Sequence, residues 1–306
     1  MNPRRVGARV ARQALRAASP LTRVRPVSAP RHPIFLIGCP RSGTSLLYAI
    51  LQNSPEVAAL PGEGHVLWES LHHPKYHGWD SNVLGPKDAT QRDRAFFYAA
   101  IRAWSRGRRY LDKTPKNSLR IPYLTSLFPD ADFIFLRRQG PDNVNSLIQG
   151  WRAHPRFVTY TLPPAAGEER GRDWSFVLIP GWRELVSAPV EEIAAHQYVS
   201  CNEAGLAAAG LVDPSRWISI SYEDLVARPE EEVARILDRL GLGMTRAITE
   251  MVRRLDDVPI NTVTPPKADK WRDENRAEIE RILPIIEPTE RRLGYTPVRE
   301  RLVSSG

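Results

Sequence analysis

The chain has 306 residues, room for one large α/β domain, and is 42% hydrophobic and 25% charged, as in ordinary soluble globular proteins; its formal net charge of +8 suits an anionic ligand, nucleic acid or an anionic membrane surface. No apolar run approaches the roughly 18 to 20 residues needed to cross a bilayer. The only cysteines, Cys39 and Cys201, are too few for a disulfide framework or a cysteine-held metal cluster, so a reducing cytoplasm is the expected setting.

The basic excess is concentrated at the start. Arg4, Arg5, Arg9, Arg12, Arg16, Arg23, Arg25 and Arg31 precede the first acidic residue, Glu56. Residues 1–31 read as a poorly ordered basic extension, with a membrane-surface helix or an organelle-targeting segment as the alternatives. They lack the apolar core of a secretory signal. The domain proper is expected over 32–298, with a tail over 299–306.

Ile34 to Ile37 is a short apolar run that predicts a buried strand. A turn from Gly38 to Gly43 follows, and then a helix with Leu46, Leu47, Ile50 and Leu51 on one side. A strand, a glycine turn and a helix N-terminus together make an anion-binding device. The turn nearly matches the nucleotide-phosphate loop G-x-x-x-x-G-K-[ST], but Thr44 stands where the lysine belongs and the cation has moved inside, to Arg41. An ordinary ATPase or GTPase is therefore disfavoured, and a donor with one terminal phosphate-like group beside Arg41 fits better.

Val57 to Leu60 predicts a second strand, and residues 61–109 read as loops and short helices. Tyr110-Leu111 is a strand ending at Asp112-Lys-Thr-Pro115, Ser118 a helix cap for a helix to about Leu127, and Phe133 to Leu136 another strand. A helix is expected from near Pro141 through Trp151, and residues 152–189 as a long lid or substrate loop. Helix resumes over about Val190 to Ala209, Trp217 to Ser221 is a strand, Pro229 to Leu240 is a helix stopped by Gly241, and 275–293 is the last helix. Strand–turn–helix units in this order predict a phosphate-loop-like, three-layer α/β/α fold around a parallel sheet. His72, His73 and His77 invite a metal reading, but no cysteine or nearby carboxylate completes a ligand set, so a surface or substrate-loop role is expected.

Four segments together resemble the sulfotransferases that use 3′-phosphoadenosine 5′-phosphosulfate (PAPS). They are Cys39-Pro-Arg-Ser-Gly-Thr-Ser45; Leu136-Arg-Arg-Gln-Gly-Pro-Asp-Asn-Val-Asn-Ser146; Leu111-Asp-Lys-Thr-Pro115 with Leu127-Phe-Pro-Asp-Ala-Asp-Phe133; and Ser221-Tyr-Glu-Asp-Leu-Val226 through Arg228-Pro229 to Gly241-Leu242. The likeness spans about residues 33 to 295 and is nearest to the bacterial branch with Pro-Arg-Ser-Gly-Thr in its loop.

The resemblance implies sulfuryl transfer from PAPS to a hydroxyl or amine, releasing adenosine 3′,5′-bisphosphate (PAP), without a metal. Arg41, Ser42, Gly43, Thr44 and Ser45 would wrap the 5′-phosphate, with Arg41 at the bridging oxygen. Arg138 and Ser146 would bind the 3′-phosphate, with Arg137 as a rival for the first position. Lys113 would meet the transferring sulfuryl oxygens. Glu63, in Pro61-Gly-Glu-Gly-His65, would be the general base, with His65 as its rival. Tyr222 would line the adenine pocket, and Lys267, Lys270 and Trp271 would form a final cofactor loop. The acceptor would be a small molecule, glycan or peptide; no nucleic-acid partner is expected. The competing readings are a small-molecule kinase on a degenerate loop, and a nucleic-acid or membrane binder acting through the basic extension.

Overall fold

The computed structural model of the protein describes residues 28–164, 171–255 and 267–303. Most of the basic extension (residues 1–27), part of the expected lid and the last three residues of the tail lie outside the described residues.

Five strands form one parallel sheet: β1 (Ile34–Ile37), β2 (Val57–Ala59), β3 (Arg109–Lys113), β4 (Asp132–Arg137) and a later strand, Trp217–Ser221, in the spatial order β2-β3-β1-β4-(217–221). Side chains alternate across a strand, so β1 sends Ile34 and Leu36 to one face and Phe35 and Ile37 to the other. Both faces are buried, which is why the strand reads as an unbroken apolar run.

One face packs against α1 (Thr44–Leu51) and two later helices, Pro229–Leu240 and Arg246–Arg253. The other is covered by α2 (His65–His72), α3 (Gln91–Ser105), α4 (Ile121–Leu127), α5 (Gly140–Arg152) and α6 (Val190–Ala209), with the helix Arg276–Arg292 beyond them. The three-layer architecture is the expected one. Between α5 and α6 lies an antiparallel hairpin, β5 (Val158–Thr161) and β6 (Asp173–Ser175), so the expected long loop carries structure of its own. The strand Trp217–Ser221 is therefore β7. It is followed by α7 (Tyr222–Ala227), α8 (Pro229–Leu240), α9 (Arg246–Arg253), α10 (Trp271–Glu274), α11 (Arg276–Arg292) and α12 (Val298–Val303).

Two expectations need correction. The stretch 61–109 includes the fifteen-residue helix α3, not only loops and short helices. Its start is a capping box, in which Thr90 Oγ1 accepts from the Asp93 amide at 3.2 Å and Asp93 Oδ2 accepts from the Thr90 amide at 2.8 Å. Ser118 caps no helix. It lies in a 3-10 turn, Pro115–Leu119, and its hydroxyl accepts from the Gly38 amide at 2.9 Å and donates to the Gly38 carbonyl at 2.8 Å. A buried loop backbone must be satisfied, and here that need outweighs capping.

The chain leaves β1 toward β2 on one side and reaches β4 on the other. Order reversal of this kind opens a crevice at the carboxyl ends of the strands, beside β1. The candidate residues gather there. Among the described residues, no helix is long and apolar enough to cross a membrane.

Candidate active site

The turn between β1 and α1 is held in an unusual backbone state. Arg41 has φ 70 and Gly43 φ 108, both in the left-handed region. A Cβ on Gly43 would lie 2.4 Å from the Tyr222 ring, so glycine is needed for both conformation and space. The turn thereby sits directly on Tyr222, at the start of α7.

Three guanidinium groups crowd this end of the crevice. Arg41 Nε donates to Ser146 Oγ at 3.2 Å, bringing the first and second sequence segments together. Arg138 reaches the same turn, with Nη1 donating to the Arg41 carbonyl at 3.1 Å and its guanidinium 4.4 Å over the Tyr222 ring. Arg156 is the third. Arg41 and Arg156 both lie on the Phe157 ring, at 4.9 and 5.0 Å. Burial, then the Arg138 and Arg156 charges, lower the Arg41 pKa to about 10, against a raising contribution from Glu63. Ser42 Oγ and Arg138 Nε are buried without hydrogen-bond partners. Like charges held close together with unspent donors are a site built for an anion.

A few residues away the charges are paired. Lys113, at the end of β3, donates to Glu63 Oε1 at 2.5 Å and to Ser45 Oγ at 3.2 Å. The other Glu63 oxygen meets His65 Nε2. Burial alone would raise the Glu63 carboxyl, but Lys113 and His65 outweigh it and hold the group well below the usual carboxylate range. Glu63 and its rival as base, His65, are therefore in direct contact. Asp112 anchors this corner from beneath. Its carboxylate accepts from Trp68 Nε1 at 3.0 Å, Tyr110 hydroxyl at 2.9 Å and Asn117 Nδ2 at 2.9 Å. The Gly64 amide donates to Thr114 Oγ1 at 3.0 Å, pinning the Glu63 loop to the end of β3.

The remaining candidates divide. Arg137 faces away from the crevice: Nη1 donates to the Leu293 carbonyl, and the guanidinium lies 5.6 Å over Tyr295. Of the two rival arginines it is thus Arg138 that stands beside Arg41. Lys270 pairs with Glu274 at 3.1 Å, and Glu274 also accepts from Asn145 Nδ2 at 2.9 Å, next to Ser146 on α5. Lys267 is exposed and pairs with Asp273 at 2.9 Å. Trp271 is 1% exposed and belongs to the core. His72 contacts Asp93 at 2.9 Å and His77 at 3.3 Å. No metal-binding group of three or more His, Cys, Asp or Glu occurs among the described residues.

Sequence reasoning missed Arg156, Phe157 and Ser118. The first two lie in the stretch before β5, whose register no periodic signal sets. Ser118 carried a legible serine with the wrong role attached.

The family model described as "Sulfotransferase family" matches residues 33–246. The chain belongs to the sulfotransferase family. Within it, nodulation protein NoeE of Sinorhizobium fredii is 30% identical over 221 residues, covering 68% of this chain and 49% of that protein. Protein-tyrosine sulfotransferase 2 of Gallus gallus is 27% identical over 292 residues, covering 86% and 69%. This sulfotransferase chain thus spans about half the length of the first of these relatives. The solved structure of sulfotransferase STF9 from Mycobacterium avium has a TM-score of 0.57 at 16% identity, over 92% of this chain and 84% of that one, and shares the fold.

Proposed function

We propose that this chain moves a sulfuryl group from PAPS to an acceptor hydroxyl and releases PAP. The observation that carries the reading is the meeting of Arg41, Ser146 and Arg138 on one turn, with buried donors still unspent. PAPS has two anionic ends, and the crevice offers a group of residues for each. The turn amides from Ser42 to Ser45, at the N-terminus of α1, would take the 5′-phosphate, and Arg138 with Ser146 the 3′-phosphate. Tyr222, packed against Gly43 and Arg138, would line the adenosine pocket with its ring. Lys270, held near α5 through Glu274, would close over the 3′ end.

PAPS supplies an activated sulfuryl group whose leaving oxygen bridges sulfur and phosphorus. As the acceptor oxygen bonds to sulfur, the bond from sulfur to that oxygen breaks and its electron pair stays with PAP. Arg41 stabilises the charge developing on the leaving oxygen, and Lys113 the sulfuryl oxygens. Glu63 takes the acceptor proton. In the ion pair with Lys113 it is a weak base. It becomes a stronger one as Lys113 turns toward the sulfuryl group, so loading of the donor and activation of the base are coupled through one ammonium.

The named acceptor of the Gallus gallus relative is a tyrosine, which presents a hydroxyl, and this supports a hydroxyl acceptor here. The phosphate-loop likeness also suits a kinase, but the missing loop lysine argues against one. PAP should raise the thermal unfolding midpoint without Mg²⁺, and more than ATP with Mg²⁺ does. Labelled PAPS should then pass one sulfuryl group, read by mass, to a hydroxyl acceptor. Protection by Mg-ATP alone would reverse the assignment.

A further inference from the structure

A second carboxylate stands beside the proposed base. Glu69 is four residues beyond His65 on α2, one turn along and on the same face. Its Oε1 accepts from Lys116 Nζ at 2.5 Å and from the Tyr160 hydroxyl. Its Oε2 takes no protein partner among the described residues. The Glu69 side chain is 15% exposed, while that of Lys116 is 2% exposed, so Glu69 is the more open member of the pair. Glu69 lies within electrostatic reach of His65, and Lys116 within reach of Glu63, so base and cluster are electrostatic neighbours.

The cluster is rigidly backed. Lys116 lies 4.0 Å over the Tyr160 ring, Asn82 Nδ2 donates to the Tyr160 hydroxyl at 2.7 Å, and Arg120 Nε donates to the Asn82 carbonyl at 3.0 Å. Arg120 is 1% exposed, and both of its terminal nitrogens are buried without partners. His73 and Trp79 flank Tyr160 edge-on, at 5.3 and 6.0 Å. Trp79 is held at φ 59, a left-handed conformation rarely adopted by a bulky residue and one that the surrounding packing must enforce.

Resting on the sulfuryl-transfer reading, we propose that Glu69 selects the acceptor by taking a hydrogen bond from a second, neutral hydroxyl next to the one being sulfated. The acceptor class is a polyol such as a saccharide, not a lone phenol and not an acidic peptide. Charge and chemistry decide among the possible groups. An ionised carboxylate only accepts, so an acidic group on the acceptor has no proton to offer it. Two buried cations, Lys116 and Arg120, stand behind one carboxylate and disfavour an ammonium. A hydroxyl gives its proton to Oε2 and brings no charge. His73 and Trp79, part-exposed and backed by the buried Tyr160, supply an apolar wall for a ring carrying several hydroxyls.

The test compares three acceptors with PAPS: 4-nitrophenyl β-D-galactopyranoside, 4-nitrophenol, and a tyrosine peptide flanked by aspartates. Wild type should favour the galactoside. Glu69→Ala should lower the galactoside-to-phenol ratio of kcat/KM roughly 10- to 100-fold, mainly through KM, and Glu69→Gln, which keeps an acceptor oxygen, should restore part of that loss. PAP affinity, measured by calorimetry on each variant, should stay close to wild type, which a merely collapsed fold would not allow. A wild-type preference for the phenol or the acidic peptide overturns the inference, as does an unchanged ratio in Glu69→Ala. Where PAP binds and transfer occurs but the ratio is flat, the inference alone fails. Where wild type neither binds PAP nor sulfates any of the three, the parent reading fails and this one with it.

Discussion

The two ends of the crevice handle charge in opposite ways. At the donor end Arg41, Arg138 and Arg156 stand together, burial and the two neighbouring charges lower the proton affinity of Arg41, and two buried polar atoms are left without partners. At the acceptor end each carboxylate has its own ammonium: Glu63 with Lys113, Glu69 with Lys116. The first arrangement is electrostatically unsettled and gains most from a bound anion. The second is settled, which suits the roles proposed for it, orienting the acceptor and taking its proton. Donor-end substitutions should therefore act through cofactor binding and the chemical step, and acceptor-end substitutions through selectivity and pH dependence.

The largest break in that contrast should come from Arg41→Ala. Loss of a preorganised cation at the leaving oxygen is expected to lower kcat roughly 10²- to 10³-fold, measured as labelled sulfuryl transfer at saturating PAPS. Undiminished turnover would remove Arg41 from the chemical step. Arg138→Ala should come next, with PAP bound roughly 10- to 100-fold more weakly in calorimetry, as for a lost charge-assisted contact to phosphate. Its neighbour sharpens the point. Arg137→Ala should lower the unfolding temperature, because Arg137 ties the end of β4 to the Leu293 carbonyl and the Tyr295 ring, yet leave PAP affinity nearly unchanged. Equal losses in the two variants would refute the division of labour.

Phe157→Ala probes how the donor end is aimed. The ring carries the Arg41 guanidinium on its surface, and a cation–π contact of this kind is worth about 0.5 to 2 kcal/mol. An approximately 3- to 10-fold loss in kcat is expected, with PAP affinity less affected. A larger effect on PAP affinity than on kcat would place Phe157 in cofactor binding instead.

Much of this molecule was legible in its sequence, for identifiable reasons. β1 and β4 are buried on both faces, so they read as unbroken apolar runs, and α8 ends at Gly241 with φ 65 because only a left-handed residue closes it there. Arg41 to Ser45 stood out as a glycine turn before a helix and the distant Arg138 and Ser146 through the family resemblance, and Arg41, Arg138 and Ser146 meet at that turn. Arg156 and Phe157 were not found, since their roles depend on where a hairpin places them over the turn, and no local pattern encodes that. The distinction between Arg137 and Arg138 is a matter of which side of a strand end each residue leaves from. A shift of one residue reverses it, and only packing against Leu293 and Tyr295 decides it.

The smallest effect is the most demanding of the acceptor end. Burial, opposed by Glu69, lowers the Lys116 pKa to about 8. In the unfolded chain a lysine titrates near 10.4. Between those values the unfolded state holds a proton that the folded state has released, so this residue should make stability rise with pH, by up to about 1 kcal/mol per unit. Two other groups pull the opposite way: the buried Cys39 thiol and the buried tyrosines are raised by burial and cost stability once their unfolded counterparts ionise. The raw thermal profile therefore mixes signs. The difference between wild type and Lys116→Met cancels Cys39 and the distant tyrosines, leaving Lys116 and its immediate partners. That difference should move in favour of wild type by roughly 2 °C between pH 8 and pH 10. A flat difference would mean that Lys116 keeps an ordinary affinity for its proton, and that the charge behind Glu69 is less constrained than its burial requires.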